Sequence, residues 1–253
     1  MQIFTSHKPD FSECPPNLKR NLIQWKTLNK TYDFVYYNDS EQISWMNDHC
    51  MKETLKMFNM LNSGAGRADI FRICRLYYEG GIWVDADLPA FDINKQKPNF
   101  QELLEDNKGI LVRNRKCDNP RYTFIAGSKG NKLFSMLNDL INKLIDEAMK
   151  NNKETSTIDI TGPFVLHKLV LTLCGFEDVL KAGPRIMWPG GYAFDGTLSL
   201  DVKYDIDGAC FMYIDDIIPE KSTYGEENAY SGYESDTFAM SVVPHGKVKR
   251  GVK

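Results

Sequence analysis

Asp85 and Asp87 are the residues of this chain best placed to do chemistry. They stand two apart at the end of a short apolar run, Ile82-Trp83-Val84. Side chains at i and i+2 of an extended chain point to the same side. Two carboxylates held together repel each other unless positive charge lies between or beside them. A hard divalent cation such as Mg²⁺ or Mn²⁺ answers that need, because it prefers oxygen ligands and keeps positions open for water and phosphate oxygens. The chemistry expected of such a pair is metal-assisted work on a diphosphate. The plain alternative is a solvated strand end. Asp-x-Asp recurs at Asp205-Ile206-Asp207 without a Gly-Gly or Trp-Val before it, and that copy reads as a polar turn or loop. A calcium loop over 85–96 is excluded: its sixth position is Ala90 and its twelfth Gln96, where an EF-hand needs glycine and glutamate.

The elements that must position the pair are legible in the apolar spacing. Ser63-Gly64-Ala65-Gly66 interrupts the pattern, and Ile70, Phe71, Cys74 and Tyr77-Tyr78 then recur at helical intervals from Arg67 to Glu79. Gly80-Gly81 stops that helix and turns the chain into the strand that carries Asp85. Upstream, Ile3 to Thr5 reads as a first strand, and Leu18, Leu22, Trp25 and Leu28 stripe one face of a helix over 16–29. Tyr32 to Tyr37 reads as a second strand, closed by Asn38-Asp39-Ser40, which caps the next helix. Helices are expected over about 40–48 and 50–61. Downstream, strands are expected at Ile110–Val112, Tyr122–Ala126, Arg185–Trp188 and Cys210–Ile214. Leu133 to Met149 is an amphipathic helix, and Asn151 to Thr157 a polar loop. Thr161-Gly162-Pro163 opens a further helix, with Thr161 as its N-cap and proline in its first turn. Strands and helices alternate early and mix later, which predicts one α/β domain with a mostly parallel sheet.

Composition bounds the partners. The chain has 253 residues, a net charge of −3, 42% hydrophobic and 26% charged residues. Nucleic-acid binding needs a clustered positive field, which this balance does not supply. The basic run Lys247-Val248-Lys249-Arg250 reads either as a solvated tail or as a contact to a diphosphate. The six cysteines form no C-x-x-C pair, and Cys74 and Cys174 fall inside apolar helical patterns. A reducing compartment is therefore expected. No apolar run reaches the length of about 18 that spans a membrane, and residues 1–9 lack a signal-peptide core. The expectation is a cytoplasmic protein, soluble or attached peripherally to a membrane, with no integral membrane segment.

Residues 63–87, SGAGRADIFRICRLYYEGGIWVDAD, carry a longer pattern: D-x-x-R, then Y-x-x-G-G-x-W-x-D-x-D. This stretch resembles the DXD-containing sugar-transferase family, which includes yeast initiating α-mannosyltransferases, capsular polysaccharide transferases and, more distantly, the glucosylating domains of large clostridial toxins. Thr161-Gly162-Pro163 is also similar to the family. The resemblance implies a GT-A type fold over 1–253, a single domain with its nucleotide-sugar half at about 1–115 and its acceptor half at about 116–253. It implies transfer from a UDP- or GDP-sugar donor to a glycan or other hydroxyl acceptor, with retention of configuration.

By the same resemblance, Mn²⁺ or Mg²⁺ bridges the donor diphosphate and the motif. Asp87 is then the direct ligand, and Asp85 faces the ribose and the ion. Asp69 and Arg72 match the family's donor-sugar contacts. They share a helix face at i and i+3, where the plain alternative is a surface ion pair. Members often carry H-x-I-W after the first strand; here Phe4, Thr5 and Ser6 stand in line for the base pocket, without a tryptophan. Members often end in H-x-x-G-S-W; here Pro244-His245-Gly246-Lys247 is the nearest match. His245 is the candidate to complete the metal site and Lys247 to neutralise the leaving diphosphate. Asp159 is either a helix-start carboxylate or a contact to acceptor or sugar. Two rival readings use the same residues: a Mg²⁺-dependent nucleotidyl- or phosphotransferase, although no P-loop is present, and a non-catalytic carbohydrate-binding module stacking Trp83, Trp188, Tyr192 or Tyr224 on sugar rings.

Overall fold

The strand that carries Asp85 is apolar on both faces, so helices or apolar loops must cover it on both sides. The computed structural model bears this out; it describes residues 1–61, 63–96, 99–105, 108–113, 120–151, 157–175, 202–214 and 217. The strands are β1 (Gln2–Ser6), β2 (Asp33–Tyr37), β3 (Gly81–Val84), β4 (Gly109–Arg113), β5 (Pro120–Gly127), β6 (Val202–Ile206) and β7 (Ala209–Ile214). They form a seven-stranded sheet in the order β2-β1-β3-β5-β4-β7-β6. Strands β1, β2, β3, β4 and β7 run one way, and β5 and β6 run the other. The sheet is thus mixed but mostly parallel, as expected.

The helices are α1 (Pro16–Leu28), α2 (Asp39–His49), α3 (Lys52–Met60), α4 (Gly64–Glu79), α5 (Phe100–Glu105), α6 (Lys132–Lys150), α7 (Thr157–Ile160) and α8 (Pro163–Leu173). One apolar layer packs α2, α3, α4, α6 and α8 against the sheet through Trp45, Phe58, Phe71, Leu137 and Leu166. The other face is covered by α1, α5 and the chain after β3, through Trp25, Leu88, Phe91 and Phe100. Among the described residues, no helix is long and apolar enough to cross a membrane.

Local sequence explains most boundaries. Asn38 caps α2 in a reciprocal box: its side chain accepts from the Glu41 N–H, and Glu41 accepts from the Asn38 N–H, both at 2.8 Å. Helix α4 begins earlier than expected, because Ser63 accepts from the Gly66 N–H at 3.3 Å and draws Gly64-Ala65-Gly66 into the first turn. Gly80 and Gly81 both have positive φ, at 73° and 119°. A Cβ on Gly80 would lie 2.6 Å from the Lys129 nitrogen, and one on Gly81 2.8 Å from the Gln2 oxygen. Only glycine makes this turn from helix into central strand.

Helix α8 corrects one expectation. Its N-cap is Gly162, not Thr161, and no side chain caps it. Asp205 and Ile206 belong to β6, so only Asp207 of the second Asp-x-Asp lies in a turn; Asp207 and Gly208, both at positive φ, make a two-residue hairpin to β7. Thr157 opens α7 rather than ending a loop. Helix α5 and strand β6 were not expected. The strand expected at Arg185–Trp188 lies outside the described residues.

Candidate active site

The parallel strands β1 and β3 end side by side, and Asp85 and Asp87 follow directly from β3. Pleating puts Trp83 and Asp85 on the same face. The Trp83 indole N–H donates to Asp85 Oδ1 at 2.7 Å. Helix α4 runs beneath that face, and helical side chains lean toward their own N-terminus. Arg72 therefore reaches up from mid-helix to the strand end. Its Nη1 lies 3.1 Å from Asp85 Oδ1 and donates to the Tyr122 carbonyl at 2.6 Å. Its Nη2 lies 2.8 Å from Asp69 Oδ1. The guanidinium lies over the Trp83 ring at 4.5 Å and the Tyr122 ring at 4.7 Å.

Thr161 closes the array from the far side. Its hydroxyl lies 2.9 Å from Asp69 Oδ2 and 3.2 Å from the Thr157 carbonyl. A hydroxyl has one proton, and the charged acceptor is the stronger of the two. The Tyr122 hydroxyl donates to the Thr161 carbonyl at 2.9 Å. Both Asp69 oxygens are thus held, one by Arg72 and one by Thr161.

Charge is out of balance here. Among the described residues, Arg72 is the one cation in contact with this group, against Asp69, Asp85 and Asp87. Burial pushes Asp69 up to about 6, against the pull of Arg72 and the Thr161 hydrogen bond. Burial also pushes Asp87 up to about 6, and the neighbouring Asp85 charge adds to it, against its own backbone N–H and Arg72.

Asp85 Oδ1 already accepts from Arg72 and Trp83, while no side-chain donor is recorded on Asp87 among the described residues. The carboxylate of Asp87 and the second oxygen of Asp85 are hard donors of the kind a divalent cation takes, and two ligands leave room for phosphate oxygens and water. No group of three His, Cys, Asp or Glu side chains suited to a metal occurs among the described residues. The residues present fit a cation shared with substrate rather than a closed protein cage.

Four of the residues singled out by sequence converge: Asp69, Arg72, Asp85 and Asp87. Asp69 and Arg72 are not a surface pair; each side chain is 7% exposed. Phe4 requires a correction. It is wholly buried, edge-on to Trp83 at 5.5 Å and beneath the Arg75 guanidinium at 4.9 Å, so its ring has no surface for a base. Thr5 and Ser6 are buried at the end of β1, and their hydroxyls have no hydrogen-bond partner among the described residues. Asp159 lies on α7, just ahead of Thr161, and its side chain is outside the described set. His245 and Lys247 lie outside the described residues. Sequence reasoning missed Tyr122 and the role of Thr161. Nothing in local spacing links either to Asp69, and Thr161 next to Gly162-Pro163 reads as a helix cap.

PaToxG glycosyltransferase is similar in structure at 16% identity, over 72% of each chain, with a TM-score of 0.48. The UDP-bound glycosyltransferase domain of the YGT toxin is similar at 13% identity, over 62% of this chain and 52% of that one, with a TM-score of 0.38. No curated protein matches the chain. Residues 15–92, from the start of α1 to just past Asp87, match the family described as glycosyltransferase sugar-binding region containing DXD motif. This stretch carries the DXD-type glycosyltransferase sugar-binding region that the family description names.

Proposed function

We propose that the chain moves a sugar from a UDP- or GDP-sugar to a hydroxyl of a glycan or other acceptor, with retention, using Mn²⁺ or Mg²⁺ held by Asp87 and Asp85. The observation that carries this reading is the surplus of carboxylates over Arg72 among the described residues at the end of β3. A cation bound there offsets the negative charge that grows on the leaving diphosphate. Arg72 fixes one oxygen of Asp85 and one of Asp69. Asp69, held at one oxygen by Arg72 and at the other by Thr161, is assigned as a fixed acceptor for sugar hydroxyls. That orientation is of the kind that lowers a barrier by positioning.

The remaining assignments follow the same reading. The Thr5 and Ser6 hydroxyls, buried and without hydrogen-bond partners, are offered to the base or ribose. The reading assigns Asp159 to acceptor or sugar, His245 as a further metal ligand, and Lys247 as counter-charge to the diphosphate. With retention, the leaving phosphate can take the acceptor proton, so the reading requires no protein base.

The test is a melting-temperature panel of UDP- and GDP-sugars with and without Mn²⁺. A ligand at about a hundred times its Kd adds roughly 2.7 kcal/mol to the folded state. The expected result is a shift that needs both nucleotide sugar and metal, is lost in Asp87→Ala, and is accompanied by sugar transfer to a glycan. Retention of the shift in Asp87→Ala would move the metal site elsewhere, and absence of any nucleotide-sugar shift in the unaltered chain would end the transfer reading.

A further inference from the structure

The chain after β3 lacks regular structure until Ile93, yet it runs through the core. The Asp85 N–H still donates to the Thr123 carbonyl of β5 at 2.9 Å; beyond it, the backbone polar groups need other partners. Helix α1 and its C-cap supply them from three residues spaced by four, Asn21, Trp25 and Asn29, which share one helix face. All three are buried, at 5%, 0% and 1% exposure. Asn21 donates to the carbonyls of Ala86 at 3.0 Å and Leu88 at 2.8 Å, and accepts from the Ala90 N–H at 3.0 Å. Trp25 donates to the same Leu88 carbonyl at 2.9 Å. Asn29 donates to the Phe91 carbonyl at 2.9 Å and accepts from the Ile93 N–H at 2.8 Å. Six hydrogen bonds thus run from one helix face to the backbone of residues 86–93.

We infer that Asn21, Trp25 and Asn29 are positioning residues that set the Asp85–Asp87 pair by gripping the backbone on both sides of Asp87. The inference rests on the reading of that pair as the cation and diphosphate site. Ala86 and Leu88 flank Asp87, so fixing both carbonyls fixes the plane from which its side chain leaves. The grip acts on main chain alone and leaves the Asp87 carboxylate free of it. Each asparagine serves donor and acceptor at once, which a leucine packed in the same apolar surroundings could not do. Buried amides are costly unless fully bonded, and these are bonded to the one loop whose geometry the site depends on. Groups that orient a metal ligand from behind typically matter about 10- to 100-fold in metal affinity or rate.

Three variants and a control test this on the full chain: Asn21→Ala, Asn29→Ala, Trp25→Phe and Leu137→Ala. Leu137 is a wholly buried residue of the opposite apolar layer. Hydrogen exchange without ligand is the first readout. Amides of 86–93 should lose protection in Asn21→Ala and Asn29→Ala, and not in Leu137→Ala at a matched loss of melting temperature. Mn²⁺-dependent UDP binding is the second, expected to weaken about 10- to 100-fold in Asn21→Ala. In Trp25→Phe, which removes one neutral hydrogen bond and leaves a smaller aromatic ring in its place, the expected loss is about fivefold.

Unchanged protection over 86–93, or metal-dependent binding that falls no further than in Leu137→Ala, would overturn the inference. If Asn21→Ala does not fold, Trp25→Phe decides. If the unaltered chain binds no nucleotide with Mn²⁺, the transfer reading fails instead, and the exchange data still decide whether the grip exists.

Discussion

Helix α4 buries two arginines three residues apart, and they serve different ends of the sheet. Arg75 faces the start of β1. Its guanidinium lies 2.9 Å from Glu79 Oε2, donates to the Tyr37 hydroxyl at 3.3 Å and the Gly80 carbonyl at 3.4 Å, and bonds the Gln2 side chain. It also lies over the Phe4 and Trp45 rings. One acid meets one cation, neutral acceptors take the other donors, and the Glu79 side chain is 36% exposed. Arg72 faces the end of β3 and meets three acids, two of them held near 6 by burial. Both arginines are enclosed and both sit against aromatic rings. What separates a structural cluster from a site is the balance of charge: among the described residues the Arg75 cluster pairs one acid with one cation, whereas the Arg72 cluster sets three acids against one.

The largest effect should come from removing the cation of the unbalanced cluster. In Arg72→Met, Asp69 and Asp85 lose their partner while remaining buried. Breaking a buried pair in this way costs about 3–5 kcal/mol. Urea unfolding at neutral pH should show that loss, and transferase activity should vanish with it. A well-folded, active Arg72→Met chain would show that the acids do not depend on Arg72.

Relieving the surplus should act in the opposite direction. Burial holds protons on Asp69 and Asp87 up to about pH 6 in the folded chain, whereas an unfolded chain releases them near 3.8, the ordinary value for aspartate. Between those values the folded state binds more protons, so stability is greatest at the acid end, falls as pH rises toward 6 and is level above it. Two units on one carboxyl correspond to about 3 kcal/mol at most. Asp87→Asn should therefore raise stability at pH 7 by about 1–3 kcal/mol and flatten that pH dependence, while losing metal-dependent activity. Metal binding must displace the proton, so apparent Mn²⁺ affinity should fall about tenfold per pH unit below pH 6. A destabilised Asp87→Asn chain would mean that Asp87 is paired with a group absent from this account.

The same contrast explains what the sequence revealed. The Asp85–Asp87 unit and the Asp69–Arg72 pair lie within one helix-turn-strand, where local periodicity and Gly80-Gly81 set the geometry, so their convergence was legible. The elements around them were legible for the same reason, long runs of apolar spacing. Thr161 is 92 positions from Asp69 in sequence, and no local pattern encodes such a contact. Its own neighbourhood pointed to a cap, but tertiary contact redirected the hydroxyl. Helix α5 is six residues long, too short for helical period to show. Strand β6 is at the edge of the sheet and reads Val-Lys-Tyr-Asp-Ile; edge strands carry charge, which blurs the apolar signal. Phe4 misled because its neighbours in sequence suggested a base pocket, whereas pleating sends it to the layer beneath Arg75.

Removing the cation of the balanced cluster should matter less. Arg75→Met leaves a single carboxylate, and Glu79 can turn into water. The loss is mainly that of hydrogen bonds and packing, about 2 kcal/mol. Activity should stay within a few-fold of the unaltered chain once temperature is set below its melting point. Loss of Mn²⁺-dependent nucleotide binding in a folded Arg75→Met chain would erase the distinction between the two clusters.

The smallest effect sharpens the distinction most, because it alters one neutral group. Tyr37→Phe deletes the hydroxyl that accepts from Arg75 Nε at 3.3 Å and keeps the ring that packs edge-on against Phe71 at 4.9 Å. Arg75 keeps Glu79, Gly80 and Gln2 on its Nη groups, and only the Nε–H is left to find another acceptor. A single neutral hydrogen bond is worth about 0.5–1.5 kcal/mol, and a long one belongs at the low end. Melting temperature should fall by a few degrees at most, with kcat, KM and metal dependence unchanged. Tyr37 closes β2, immediately beside Ser6 at the end of β1, so the variant also probes how far the site extends along the strand ends. A raised KM for the nucleotide sugar with unchanged stability would assign the Tyr37 hydroxyl to the ligand, and the boundary between the two clusters would run through this residue rather than between the arginines.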